Sequence, residues 1–136
     1  MDKDYPIDEL LLQLYQFYRV PFHQTIYSFL SGEEFVIQLM VRLGGQCTPG
    51  DIKSTMLVSS ARVAAMLNNL EKKELIERKI DKEDRRRIIV SLTPRGEAHA
   101  DIKAGEIRTL SQRAKNKLGR DDVQEFLRIL RKMDSI

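Results

Sequence analysis

From Asp8 to Leu30 the apolar side chains Leu11, Leu14, Tyr15, Tyr18, Phe22, Ile26 and Phe29 recur every three or four residues, the spacing that gathers them on one face of an α-helix. Pro21 lacks an amide hydrogen and its ring crowds the preceding turn, so a kink or break is expected there. Ser31 is placed to cap a second helix that stops at Gly44-Gly45. Its first turn holds Glu33 and Glu34, where the helix dipole favours negative charge. Thr48, Pro49 and Asp51 supply the cap, first-position and third-position residues of a short helix, interrupted at Leu57-Val58-Ser59 after about two turns. Ser59 or Ser60 then caps a longer helix, SARVAAMLNNLEKKEL. Its buried stripe is Val63, Met66, Leu67 and Leu70, and Ser60, Ala61, Arg62, Ala65, Asn68, Asn69 and Lys72 lie outward or at its margins.

After Leu75 the period drops to two. In IERKI the residues Ile76, Arg78 and Ile80 share a face, and in RIIVSL Ile88, Val90 and Leu92 do, which predicts a two-stranded hairpin with a loop from Asp81 to Arg86. That hairpin carries KIDKEDRRR at its tip, a run in which only Ile80 is uncharged. Thr93 and Pro94 open a long helix marked by Ala98, Ile102, Ile107, Leu110, Ala114 and Leu118, although Gly105 is a poor helix residue. Beyond Gly119, Asp121 is expected to cap a last helix with Val123, Phe126, Leu127, Leu130 and Met133 on one side. The expected fold is therefore mainly α with a small β-hairpin, in one domain spanning residues 1–136.

Composition narrows the class. An apolar content of 42%, with only 7 Gly and 4 Pro, excludes a disordered or low-complexity chain. The start MDKDYPIDELLL is acidic where a secretory leader is basic, and no apolar run approaches the roughly 18 residues of a membrane span. A cytoplasmic protein that does not enter a membrane is expected. Cys47 is the only cysteine, which excludes an internal disulfide and a cysteine-built zinc site. Residues 59–96 hold ten Lys or Arg against six Asp or Glu, whereas the rest of the chain holds thirteen against fourteen. The net positive charge is thus concentrated around the hairpin, as on a polyanion-binding surface or on a merely solvated charged face.

Short helix, turn, longer helix and hairpin is the order of a winged helix-turn-helix, in which the second helix enters the DNA major groove and the hairpin loop reaches flanking backbone or minor groove. The charged loop is then the wing. Its arginines would meet phosphates or the negative potential of a narrow groove, and Asp84, two residues before Arg86, would clamp the loop and aim that arginine.

Two stretches carry a family resemblance. Asp84, Arg85 and Arg86, then an alternating strand, then Leu92, Thr93, Pro94, Arg95 and Gly96 give D-x-R followed by L-T-x-x-G. Upstream, LNNLEKKELIER sets Leu70, Leu75, Ile76 and Arg78 at matching positions. Over Ser59 to Gly96 the chain resembles the MarR family of transcriptional regulators, departing from it at Glu74, where many members have a helix-ending Gly. The resemblance implies a homodimer in which the first, fifth and sixth helices of two chains interlock. Residues 1–30 and 97–136 would supply the dimerisation helices, and 31–96 the winged module presented to a pseudo-palindromic operator. Leu10, Leu11, Leu14, Phe17, Tyr18, Phe126, Leu127, Leu130 and Ile136 independently offer more apolar surface than one such chain readily hides, although a helix hairpin packed on its own core would also use them. DNA contact is expected from Ser60, Ala61, Arg62 and Ala65 at the bases and from Asn69, Lys72, Arg85, Arg86 and Arg87 toward phosphate. Repression is the expected mode of action. A small aromatic effector, as family members often take, would find Tyr15, Tyr18, Phe22, His23 and Tyr27, side chains that at helical spacing are equally ordinary core.

Alternatives remain. Cys47 invites a redox-responsive reading, but no Lys, Arg or His flanks it to depress its pKa, and a structural thiol is expected. His23 and His99 with a carboxylate would serve a metal-responsive regulator, yet no H-x-x-x-H spacing exists and neither metal nor cofactor is expected. A winged helix used only for protein contacts has no need of three consecutive arginines. No phosphate loop, nucleophile elbow or acid cluster beside a histidine supports an enzyme.

Overall fold

The computed structural model describes residues 8–135, so Ile136 and the acidic start through Ile7 lie outside the described residues. The described chain runs α1 (Glu9–Arg19), α2 (Pro21–Phe29), α3 (Gly32–Arg42), β1 (Gln46–Cys47), α4 (Pro49–Met56), α5 (Ser60–Lys72), β2 (Ile76–Ile80), β3 (Ile88–Leu92), α6 (Pro94–Leu118) and α7 (Arg120–Met133). It forms two compact units, one ending at Lys103 and one beginning at Ala104.

In the first unit Pro21 breaks the first helical stripe outright. Val20 is extended, and Pro21 starts α2 at a position where its missing amide hydrogen costs nothing. Ser31 sits at the start of α3 but does not cap it with its hydroxyl, which instead donates back to the Tyr27 carbonyl at 2.6 Å. Helix α3 ends where Gly44 and Gly45 take positive φ and the Gly45 amide reaches the Met40 carbonyl at 2.8 Å. Thr48 and Asp51 make the expected reciprocal capping box at the start of α4.

The two strands pair with the expected faces together, Ile76 opposite Leu92, Arg78 opposite Val90 and Ile80 opposite Ile88. Arg87, however, precedes β3 and belongs to the loop. A third strand went unforeseen. Gln46 and Cys47 pair with Ser91 and Val90, giving the order β1-β3-β2, because two residues are too few to show a period. The core of this unit gathers Val36, Ile37, Leu39 and Met40 of α3, Cys47, Ile52 of α4, the α5 stripe Val63, Met66, Leu67 and Leu70, and Leu75, Ile76, Val90 and Ala100. Truncating Leu67 or Leu70 to alanine there would cost about 2–5 kcal/mol. No side chain of α1 or α2 is buried in the single chain.

The exit of α5 explains the L-T-x-x-G motif. Glu74 adopts positive φ, 61°, and the amides of Leu75 and Glu74 donate to the carbonyls of Leu70 and Glu71 at 3.0 and 2.9 Å. The helix therefore ends as sharply with Glu as it would with Gly, the side chain being held outward by Arg95 at 3.1 Å. Thr93 locks the start of α6 onto that exit. Its amide donates to the Leu75 carbonyl at 3.1 Å, its hydroxyl donates to the Glu74 carbonyl at 2.6 Å, and its Oγ1 accepts from the Gly96 amide at 3.0 Å.

Helix α6 runs unbroken through Gly105. Its buried residues are Gly96 and Ala100, and Ala98 and Ile102 of the expected stripe are exposed. In the second unit, α7 begins two residues earlier than expected. Gly119 stands at the cap with φ 82°, and Asp121 lies in the first turn without capping it. Helix α7 has a strongly one-sided apolar face, Phe126, Leu127, Leu130 and Met133, none of it buried in the single chain.

Candidate nucleic-acid interface

Helix α5 is fixed at its start by Ser59, whose Oγ accepts from the Arg62 amide at 3.1 Å. With Val63, Met66, Leu67 and Leu70 committed to the core, Ser60, Ala61, Arg62, Ala65, Asn69 and Lys72 are all exposed, as is Ala64. These side chains form a polar and small-residue face bounded by one arginine near the N-terminus and one lysine in the last turn.

The loop between β2 and β3 is organised by its own carboxylates. The Asp81 amide donates to the Arg87 carbonyl at 2.9 Å, and Asp81 Oδ1 accepts from the Glu83 amide at 3.0 Å. Asp84 Oδ1 accepts from the Arg86 amide at 3.0 Å, and the Asp84 carbonyl accepts from the Arg87 amide at 2.9 Å. Contact between the two side chains is weaker, one Nε donor at 3.4 Å, and the Arg86 side chain is 92% exposed. Asp84 thus holds the loop backbone firmly and the guanidinium by a single long bond, without the two-pronged pairing that would fix its plane. Arg85 and Arg87 are exposed as well. Arg87 also acts on the base of the module. The Asp51 carboxyl is held below its ordinary pKa first by the Thr48 amide and hydroxyl of the capping box and then by the positive charge of Arg87.

A second arginine was not singled out as a site from the sequence. Arg78 of β2 donates from Nε and Nη2 to the two carboxylate oxygens of Glu71 at 3.0 and 3.1 Å, and from Nη2 to Asn68 Oδ1 at 2.7 Å. These bonds tie the wing to the exposed flank of α5. They hold the Glu71 carboxyl below its usual pKa and raise that of the Arg78 guanidinium. The available signal was an arginine on the face of the hairpin shared with Ile76 and Val90, where a charge needs a partner. Beside this tie lies a largely apolar groove of about 250 Å³ floored by Val63, Leu67 and Ile88 and edged by Lys53, Ser60 and Arg78.

Of the aromatic residues on α1 and α2, the structure gathers three of the five expected at an effector site. The Tyr18 and His23 rings stand 4.6 Å apart and those of Tyr18 and Tyr27 6.4 Å apart, with Phe17 joining at 5.2 Å from His23. His23 Nε2 is buried with no hydrogen-bond partner. Tyr15 instead faces the Arg19 guanidinium at 5.7 Å, and Phe22 is half-buried. His99 Nε2 and Glu34 Oε1 lie 2.7 Å apart, joining α6 to α3. Among the described residues no three His, Cys, Asp or Glu side chains are grouped to hold a metal ion, and no helix is long and apolar enough to cross a membrane. Cys47 is buried opposite Val90, and its thiol is pushed up to about 11, first by burial and then by the negative charge of Asp51.

Comparison with known proteins places this geometry. Residues 30–88 match the MarR family. The HTH-type transcriptional repressor NicR of Pseudomonas putida is 27% identical over 128 residues, covering 93% of this chain and 81% of that protein. Bordetella bronchiseptica BpsR, solved in a study of how 6-hydroxynicotinic acid regulates its DNA binding, is 26% identical. It superposes with a TM-score of 0.65 over 100% of this chain and 98% of its own. A mutant MarR from E. coli complexed with operator DNA shares the fold at a TM-score of 0.68 and 22% identity, covering 92% of this chain and 94% of that one.

Proposed function

We propose that this chain, whose residues 30–88 match the MarR family, is a repressor that binds double-stranded DNA as a homodimer at a pseudo-palindromic operator. The observation that carries this reading is the exposed face of α5, bearing Arg62, Asn69 and Lys72, set beside a preorganised loop of three consecutive exposed arginines. In use, Ser60, Ala61, Arg62 and Ala65 approach base edges in the major groove. Asn69 and Lys72 contact phosphate, and Arg85, Arg86 and Arg87 contact flanking backbone or minor groove.

Two copies set their α5 helices about one helical turn of DNA apart, roughly 34 Å. The exposed apolar faces of α1 and α7 supply the pairing surface, because apolar area of that extent left in water is costly. Repression follows the name of the P. putida relative. A small aromatic acid is the effector class favoured by the cluster of Tyr18, His23 and Tyr27 with its unpartnered ring nitrogen, and by the ligand named for BpsR.

The test is selection of duplexes from a random DNA pool with the full chain. Enrichment of an inverted repeat with half-site centres about ten base pairs apart supports the reading. Failure to enrich any sequence at low salt contradicts it.

A further inference from the structure

We infer that Arg78 is a positioning residue for DNA binding. Through Glu71 and Asn68 it sets the angle between the wing and helix α5 without touching DNA itself, an inference that rests on the DNA-binding reading above. The geometry of the hairpin makes such a tie necessary. At its root, Ile76 and Val90 are buried and hold both strands to the core. Toward the tip, Lys79, Ile80 and Ile88 are exposed, as are the loop residues from Lys82 to Arg87, so no buried side chain fixes the outer half.

Arg78 lies opposite Val90, at the level where burial ends. From there it bonds the hairpin to α5 three times, twice to Glu71 and once to Asn68. The tip extends about 15 Å beyond that level, so a tilt of about 10° at Arg78 moves the arginines by roughly 3 Å, a full hydrogen-bond length.

The tie also divides the surface of α5. At about 100° per residue, Glu71 lies roughly half a turn round the helix from Arg62, whereas Asn69 lies only about 20° from it. The wing therefore grips one flank of α5 and leaves the Arg62 and Asn69 flank free for DNA. Arg78 has its side chain only 30% exposed and its Nε and Nη2 donors satisfied by protein, so only Nη1 is left to offer a phosphate.

The test uses the full chain and the duplex it enriches most strongly from a random pool. Arg78→Lys keeps the positive charge but loses the planar fork that grips Glu71 and Asn68 together. Glu71→Gln removes a negative charge from a DNA-facing helix, so charge alone predicts tighter binding. Positioning predicts that both variants bind about tenfold more weakly, and that the loss shrinks to about twofold or less when each is placed in an Arg85→Ala, Arg86→Ala background, where the wing has little to position. A merely structural role would carry the same loss into both backgrounds and would lower the thermal midpoint in proportion. Wild-type affinity for Arg78→Lys, tighter binding by Glu71→Gln, or an undiminished loss in the arginine-free background overturns the inference. A wild-type chain that enriches no duplex overturns the DNA-binding reading itself, and this inference with it.

Discussion

Gly96 lies against the backbone of Leu75 so closely that a Cβ on it would overlap the Leu75 carbonyl oxygen and stand 3.2 Å from Leu92 Cδ2. The glycine of L-T-x-x-G is thus required by contact, since its φ is ordinary, and the obstacle is backbone that cannot swing aside. Gly96→Ala is expected to destabilise the winged module by about 2–4 kcal/mol, above the usual cost of overpacking because the carbonyl also serves Thr93. Urea unfolding followed by far-UV circular dichroism measures this; an unchanged midpoint would show that α6 moves away freely.

Leu57 takes φ 55° at the end of α4 and is 89% exposed. A left-handed leucine costs about 1–2 kcal/mol and burial returns nothing here, whereas glycine adds roughly 0.5–1 kcal/mol of unfolded-chain entropy. Leu57→Gly is expected to stabilise by up to about 1 kcal/mol on balance. Glu74→Gly should gain less, because it also removes the pair with Arg95. Differential scanning calorimetry of the two variants should rank them in that order.

The wing yields a sharper separation than a count of charges. Asp84 acts mainly through the Arg86 amide, and an asparagine carbonyl can accept that bond while an alanine cannot. Asp84→Ala is expected to weaken DNA binding although it removes a negative charge, and Asp84→Asn to bind at least as well as wild type. Replacing Arg85 or Arg86 should lower the salt slope by about one each. Arg87, whose backbone is bonded to both Asp81 and Asp84 at the root of the loop, should lower it by less. Titrations at several salt concentrations report all of these.

Much of this was legible because it is local. Thr48, Pro49 and Asp51 spell a cap within four residues, Ser59 caps α5, and the alternation of Ile76 to Ile80 against Ile88 to Leu92 sets which faces of the hairpin pair. What escaped is non-local or too short to show a period. Strand β1 exists only because β3 offers an edge to Gln46 and Cys47. The bonds of Arg78 to Asn68 and Glu71 cross from strand to helix. The Ser31 hydroxyl chose the Tyr27 carbonyl over the cap its position suggested, and at the start of α6 Gly96 and Ala100 take the buried side in place of Ala98 and Ile102, while Ile107, Leu110 and Ala114 of the expected stripe are half-buried. Spacing alone likewise could not separate Tyr15, turned to Arg19, from the Tyr18 and His23 cluster.

Cys47 supplies a pH test. Its folded-state pKa lies above the ordinary value of 9.0, at about 11, so the neutral thiol favours the fold. That contribution is complete below pH 9 and is lost as pH rises from 9 toward 11. Cys47→Ala should flatten the decline in stability across this window. At pH 8 the thiol should react with an aromatic disulfide reagent only as fast as the chain unfolds; rapid reaction in the folded protein would restore a redox-sensing role.

Arg62 tests the central claim most directly. It is exposed in the first turn of α5, its backbone fixed by Ser59, on the flank left free by the wing. Alanine there is expected to cost about 1–3 kcal/mol on the enriched duplex while leaving affinity for random DNA far less changed, and to relax the preference at one base position in each half-site. Parallel titration of wild type and Arg62→Ala against the enriched and random duplexes at one salt concentration measures both. Equal weakening on the two would contradict base reading by α5 and leave Arg62 as one more positive charge on the surface.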